Sequence, residues 1–151
     1  MEEAGIYARA APSLDCHVQL GAASGKLLSV SFPDQPDEGA TAEHPLLDRI
    51  EAYLNGAEES FADVDVALTL PTDRRGVLET LRSVDYGESV TVAVLARTTP
   101  GLADTDEDHR LVREALADNP TPLVIPDHRV RDGPSAAPPP VEQRLRTLEG
   151  L

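Results

Sequence analysis

Apolar and polar positions along the chain change period several times, and each change marks an element. His17-Val18-Gln19-Leu20 and Leu27-Leu28-Ser29-Val30-Ser31-Phe32 alternate in part, around a Gly-Ala-Ala-Ser-Gly gap. That pattern predicts a β-hairpin. Phe32 to Thr41 is rich in Pro, Asp and Gly and reads as an exposed loop. Leu46, Leu47, Ile50 and Leu54 then fall at helical spacing, with Pro45 suited to a first turn. Val64, Val66, Leu68 and Leu70 alternate with Asp65, Ala67 and Thr69, which predicts a half-buried strand ended by Pro71-Thr72.

Beyond residue 72 the period becomes helical. Val77, Leu78 and Leu81 predict a helix over 75–84. A turn at Asp85-Tyr86-Gly87-Glu88 leads to a short helix over 91–97, for which Thr91 is the expected N-cap. A second turn, over 98–105, contains Pro100-Gly101. The next helix, 106–117, carries Leu111, Val112, Ala115 and Leu116 on one stripe. Thr105 can cap it, and Asp106, Glu107 and Asp108 suit the positive end of its dipole. Helix, short turn, helix is the layout of a helix-turn-helix. Pro134 to Pro140 reads as a loop, and 141–148 as a last helix. The expected fold class is therefore α/β (α+β) in two parts: a small N-terminal domain, 1–71, and a helical domain, 72–151.

Composition changes this picture in two ways. First, the formal net charge of the 151 residues is −14. Such a charge opposes phosphate binding. It also suits a cytoplasm of very high salt, where the Debye length falls to about 3 Å. A halophilic, cytoplasmic protein is the expectation, with an ordinary acidic domain as the alternative. Second, the charge is uneven. Residues 1–72 carry 3 Lys+Arg against 13 Asp+Glu, whereas residues 73–151 carry 10 Arg against 14 Asp+Glu. The basic groups gather in the helical part. No apolar run approaches the length of a membrane span, so no membrane partner is expected. Cys16 is the single cysteine, so no internal disulfide can form.

Candidate chemistry centres on Val124-Ile125-Pro126-Asp127-His128-Arg129-Val130. Asp127, His128 and Glu149 could polarise a water; alternatively His128 and Glu149 form a buried pair that ties the last helix to this loop. His17, His44 and His109 are scattered without ligand spacing, so neither a metal nor a cofactor is expected.

Taken together, Tyr86-Gly87-Glu88, Leu95-Ala96, Asn119-Pro120, Ile125-Pro126-x-His128-Arg129-Val130 and Leu148-Glu149-Gly150 resemble the alkylguanine-DNA alkyltransferases, or methylated-DNA–protein-cysteine methyltransferases. The resemblance covers about residues 46–151. It implies a ribonuclease-H-like first domain and a second domain with a winged-helix or helix-turn-helix core. In that family the second domain engages double-stranded DNA and flips an alkylated guanine into a pocket, where a cysteine accepts the alkyl group, and the resemblance implies the same layout here.

Position by position, the acceptor cysteine falls on Asp127, the histidine that activates it on His128, and the glutamate that orients the histidine on Glu149. The arginine that replaces the flipped base falls on Arg110, and the hinge asparagine on Asn119. Arg113 and Arg129 join them as expected DNA contacts. Arg110 has an alternative reading, as a surface group paired with Asp106 or Glu114.

Three departures stand out. The tyrosine that helps rotate the nucleotide falls on Val92. The expected small-residue face of the recognition helix carries Asp108, His109, Leu111, Arg113 and Glu114. The pocket loop is replaced by the proline-rich stretch 132–140. A carboxylate is a poor nucleophile for alkyl transfer, and its ester would be labile, whereas a thiolate gives a stable thioether. The expected function is thus recognition of alkylation damage without catalysis, by a monomer that can engage other repair proteins. A structural or protein-interaction module that has left DNA is the first alternative. An alkyltransferase using another acceptor, Asp127 or Cys16, is the second.

Overall fold

The computed structural model describes residues 5–151. Three antiparallel strands, β1 (Gly5–Ala11), β2 (Cys16–Ala23) and β3 (Lys26–Ser31), form one sheet in the order β1-β2-β3. The predicted hairpin is β2–β3, but its turn is only Ser24-Gly25. Both residues have positive φ, at 55° and 78°, as a two-residue hairpin turn of the right twist requires. Gly21 and Ala22 belong to β2 and mark a register shift. β1 was not expected. Its alanines carry little β preference, and pairing with β2 defines it (Tyr7 opposite Leu20).

The predicted strand over 64–70 is absent as a regular element. The segment touches β3 at one parallel bridge, Leu27 to Val66. The Leu27 amide donates to the Asp65 carbonyl at 2.8 Å and the Ala67 amide to the Leu27 carbonyl at 2.9 Å. Further along β3 the edge is taken by Pro120, whose carbonyl accepts from the Val30 amide at 2.9 Å. The ladder therefore cannot extend.

Five helices follow: α1 (Pro45–Leu54), α2 (Thr72–Leu81), α3 (Val92–Thr98), α4 (Asp106–Ala117) and α5 (Pro139–Glu149). His44 caps α1 by accepting the Leu46 amide on Nδ1 at 3.0 Å, and Pro45 occupies the first turn. α2 begins three residues earlier than the apolar stripe implies, because the Pro71 carbonyl accepts the Arg75 amide and opens the helix. Thr91 and Thr105 cap α3 and α4 through their hydroxyls, each at 3.1 Å. The proline run is not all loop. Pro139 and Pro140 start α5, where their missing N–H groups have no intrahelical partner to lose.

Among the described residues, the buried apolar side chains form two clusters. The second holds Val77, Leu78 and Leu81 of α2, Val92 and Leu95 of α3, Val112 and Leu116 of α4, and Ile125 and Val130. The first joins Val18, Leu20, Leu27 and Val30 of the sheet and Leu47, Ile50 and Tyr53 of α1 to Leu123, Val124, Ala137, Val141 and Leu145. The chain from 121 to 130 is buried throughout and runs between the two clusters. The architecture is mixed α+β, as expected. Among the described residues, no helix is long and apolar enough to cross a membrane.

Candidate functional site

A single 3-10 turn, Asp127–Arg129, presents three buried polar side chains, Asp127 to one set of partners and His128 and Arg129 to another. The Asp127 carboxylate is fully enclosed. Ser135 Oγ donates to Oδ1 at 2.5 Å. The Ala136 amide donates to Oδ2 at 2.9 Å, and so does Asn119 Nδ2, at 3.0 Å. Burial pushes the Asp127 carboxyl above the usual aspartate range, against the pull of these three donors and the nearby His128.

His128 points the other way. Its Nε2 lies 2.6 Å from Glu149 Oε2. Glu149 also accepts Arg129 Nε at 2.8 Å and Arg129 Nη2 at 3.2 Å, the Tyr53 hydroxyl at 2.5 Å and the Gly87 amide at 3.0 Å. Burial alone would raise the Glu149 carboxyl. The His128 and Arg129 donors, with the Tyr53 hydroxyl, more than offset this and hold it at about 2. An ionised carboxylate only accepts, so His128 Nε2 carries the proton and donates. His128 Nδ1 is buried without a partner. Burial and the Glu149 charge keep the Tyr53 phenol far above its ordinary range.

Arg129 completes the cluster. Its Nη1 donates to the Val84 carbonyl at 2.7 Å, and its guanidinium lies 5.9 Å from the Tyr86 ring centre. Arg146 of α5 donates to the His128 and Val130 carbonyls, at 3.0 and 2.9 Å, and fixes the backbone of the turn. One carboxylate, Glu149, thus gathers α1, the turn at Gly87, the 127–129 turn and α5. Asp127, by contrast, makes no hydrogen bond to His128 or Glu149. The expected acid/base trio is two separate networks.

Residues 73–137 match the family described as 6-O-methylguanine DNA methyltransferase, DNA binding domain. A methylated-DNA–protein-cysteine methyltransferase of Methanopyrus kandleri is 34% identical over 110 residues, covering 69% of this chain and 77% of that protein.

The chain belongs to the methylated-DNA–protein-cysteine methyltransferase family.

A second relative of that name, from Metallosphaera sedula, is 33% identical over 88 residues, and the match spans 51% of its length. The crystal structure of the Mycobacterium tuberculosis O6-methylguanine methyltransferase superposes with a TM-score of 0.74 at 22% identity, covering 97% of this chain and 91% of that one. The structure of Mycobacterium tuberculosis OGT in complex with DNA gives 0.71, also at 22% identity. At these identities the likeness is one of fold, and it spans almost the whole alkyltransferase structure.

Placed on this alkyltransferase fold, the expected DNA contacts separate into two groups. Arg110 and Arg113 are exposed on α4 and, among the described residues, neither makes an ion pair or hydrogen bond through its guanidinium. The alternative pairing of Arg110 with Glu114 is not formed, since Glu114 accepts Arg74 at 2.6 Å. Arg129 and Asn119 need correction. Arg129 is 3% exposed, and its guanidinium is committed to Glu149 and Val84. Asn119 is 4% exposed; its amide donates to the Ile125 carbonyl as well as to Asp127, and its Oδ1 accepts the Thr121 amide. Both build the loop from inside, and neither is presented at the surface of this structure. The departure at Val92 is also internal: Val92 is 1% exposed in the second apolar cluster.

Cys16 lies half-buried on β2, against the first cluster. Burial raises its thiol pKa, as do Asp34 and Asp15, which leaves it a poor nucleophile.

The sequence reading missed Tyr53 and Ser135, and it quoted Gly87 in the Tyr86-Gly87-Glu88 motif without a role. Tyr53 carried a signal, a polar-tipped ring three residues after Ile50 on the buried stripe of α1, since a buried phenol seeks a partner. Gly87 acts through its backbone amide and Ser135 through a loop hydroxyl, and neither leaves a periodic trace.

Proposed function

We propose that this protein is a non-catalytic member of the alkyltransferase family that recognises alkylated guanine in double-stranded DNA. Asp127 stands where the resemblance puts the acceptor cysteine. One observation carries the reading: the Asp127 carboxylate is fully buried, with both oxygens held by the chain's own donors. A carboxylate so held is a structural acceptor of hydrogen bonds. It has neither the softness nor the access that alkyl transfer demands.

Residues 72–151 are the DNA-engaging part in this reading, and the family match over 73–137 supports that division. Arg110 and Arg113 on α4 are its cationic contacts. Other repair proteins are the natural recipients of a lesion that the binder itself cannot remove.

The test has two arms. Incubation with duplex containing O6-methylguanine, followed by intact-protein mass measurement, is expected to leave the mass unchanged. Binding at molar KCl is expected to favour that duplex over its undamaged twin. A protein that gains one methyl group is a catalyst, and one with equal affinity for both duplexes is not a damage sensor.

A second reading, a protein-interaction module, is favoured by Asp106, Glu107 and Asp108 at the start of α4. These carboxylates repel the phosphates that such a helix would approach. Capture of a protein partner that survives nuclease treatment, with no duplex binding, would select it.

A further inference from the structure

Residues 131–137 run over the Asp127 carboxylate and are partly exposed on their outer side. The ends of this segment are seated by packing and by a helix start. The Val92 amide, at the start of α3, donates to Asp132 Oδ1 at 2.7 Å. Gly133 sits so close to α4 that a Cβ there would lie 2.7 Å from Leu116 Cδ1 and 3.1 Å from Val130 Cγ1. At the far end Ala137 belongs to the first apolar cluster and is 6% exposed.

The middle is held differently. Pro134, Ser135 and Ala136 belong to neither apolar cluster. Ser135 and Ala136 are fastened to the protein beneath by their two hydrogen bonds to Asp127, while the Ala137 amide donates back to Ser135 Oγ at 3.0 Å. Pro134 and Pro138 bracket the pair and stiffen it, since each fixes its own φ. Asp127 makes no ion pair among the described residues; its donors are a hydroxyl and two amides. A buried carboxylate without a counter-cation is poorly compensated for its lost hydration. Lifting Ser135-Ala136 would give that hydration back. The closure is therefore strong in hydrogen bonds yet opposed by desolvation, which suits a part that opens.

We propose that Ser135-Ala136 is a lid over the acceptor position, latched by Asp127, and that an alkylated guanine enters the site only when this latch is released. The proposal rests on the damage-binding reading above. In this protein the residue at the acceptor position closes the pocket.

The test uses the full chain and the mild variant Ser135→Ala, which removes one of the two latch bonds to Asp127, together with the acceptor of the Ala137 amide, and changes no side chain of either apolar cluster. Hydrogen exchange is expected to quicken at least tenfold at the Ala136 amide, with the α4 amides from Val112 to Leu116 unchanged. Affinity for duplex carrying O6-methylguanine is expected to rise several-fold, with no change for undamaged duplex. Unchanged exchange at Ala136 would overturn the latch, and so would equal quickening in α4, which would mark a loss of global stability. Local quickening with an unchanged affinity for the damaged duplex would refute gating. If neither protein prefers the damaged duplex, the damage-binding reading and the proposed occupant both fall, while exchange at Ala136 still decides the latch.

Discussion

Glu149→Gln tests the junction most directly. The substitution keeps the shape of the side chain and removes its charge. It also puts an amide NH2 among five donors, where an acceptor stood. Arg129, 3% exposed, loses its counter-charge and is left with neutral partners alone: one amide oxygen, the Val84 carbonyl and the Tyr86 ring.

The cost can be sized from the carboxyl itself. It is held at about 2 instead of its ordinary 4.5, and each pH unit of displacement is worth about 1.4 kcal/mol. That gives roughly 3 kcal/mol, at the low end of the roughly 3–5 kcal/mol expected for breaking a buried pair. A domain of this size has about 5–15 kcal/mol in total, so the variant folds but is visibly weakened.

The sign with pH follows from the direction of displacement. A carboxyl depressed in the folded state contributes fully above its unfolded value, near 4.5. The contribution is lost as pH falls toward 2. Urea unfolding followed by far-UV circular dichroism at pH 7, 5, 4 and 3 should therefore show a gap of roughly 3 kcal/mol between wild type and variant at neutral pH. The gap narrows steadily below pH 4.5. In a thermal melt at pH 7 the loss is about 6–12 °C, at roughly 2–4 °C per kcal/mol. A gap under about 1 kcal/mol at pH 7 would refute this account of Glu149, being no more than an exposed pair contributes. So would a gap of constant size down to pH 3.

Three further outcomes follow from the same geometry. Asn119→Ala strips one of three donors from Asp127 and one of two from the Ile125 carbonyl, and it leaves the buried Thr121 amide without its acceptor; urea unfolding should register a loss of about 1–3 kcal/mol for that unmet amide. Gly133→Ala forces a Cβ to within 2.7 Å of Leu116, which is fully buried and cannot yield; about 1–3 kcal/mol of destabilisation is expected, and an unchanged melt would mean that the loop does not pack as described. Arg110→Ala and Arg113→Ala should leave the melting temperature within a degree or so, since both side chains are exposed. Each should lower the salt dependence of duplex binding by about one counterion; an unaltered slope would place the DNA elsewhere.

The helices were legible because each carries its own local instructions. Thr91 and Thr105 sit where the cap is needed, and Leu46, Leu47 and Ile50 repeat at helical spacing. β1 was not legible, since Gly5–Ala11 has little preference of its own and gains its conformation from β2. The alternation over 64–70 reported burial correctly but not pairing, because the β3 edge it would have joined is shared with Pro120. At the site, His128 and Glu149 could be named from sequence, 21 residues apart, and they do meet. Arg129 and Asn119 misled because an Arg or Asn inside the fold has the same letter as one on the DNA face. Only burial separates them, and the stretch 121–130 takes its burial from both clusters, one of which is assembled from residues on either side of it. The lid contacts of Ser135 and Ala136 rest on a hydroxyl and a backbone amide, groups with no hydrophobic signature to read.

The interleaving of the first apolar cluster sets an order of events during folding. The sheet and α1 supply one side of that cluster, and Leu123, Val124, Ala137, Val141 and Leu145 supply the other. Between Ile50 and Leu123 lies the entire α2–α4 unit, whose contacts are shorter in range and close at a smaller entropic cost. The α2–α4 helices can therefore gather early, their cluster closed by Ile125 and Val130 just beyond them. The strands pair locally with one another, but their apolar face stays uncovered until chain that follows the helices in sequence is in place. A chimera joined near residue 71 would divide these strands from their own cover, so the two halves are not freely exchangeable between relatives, even though each has its own secondary structure.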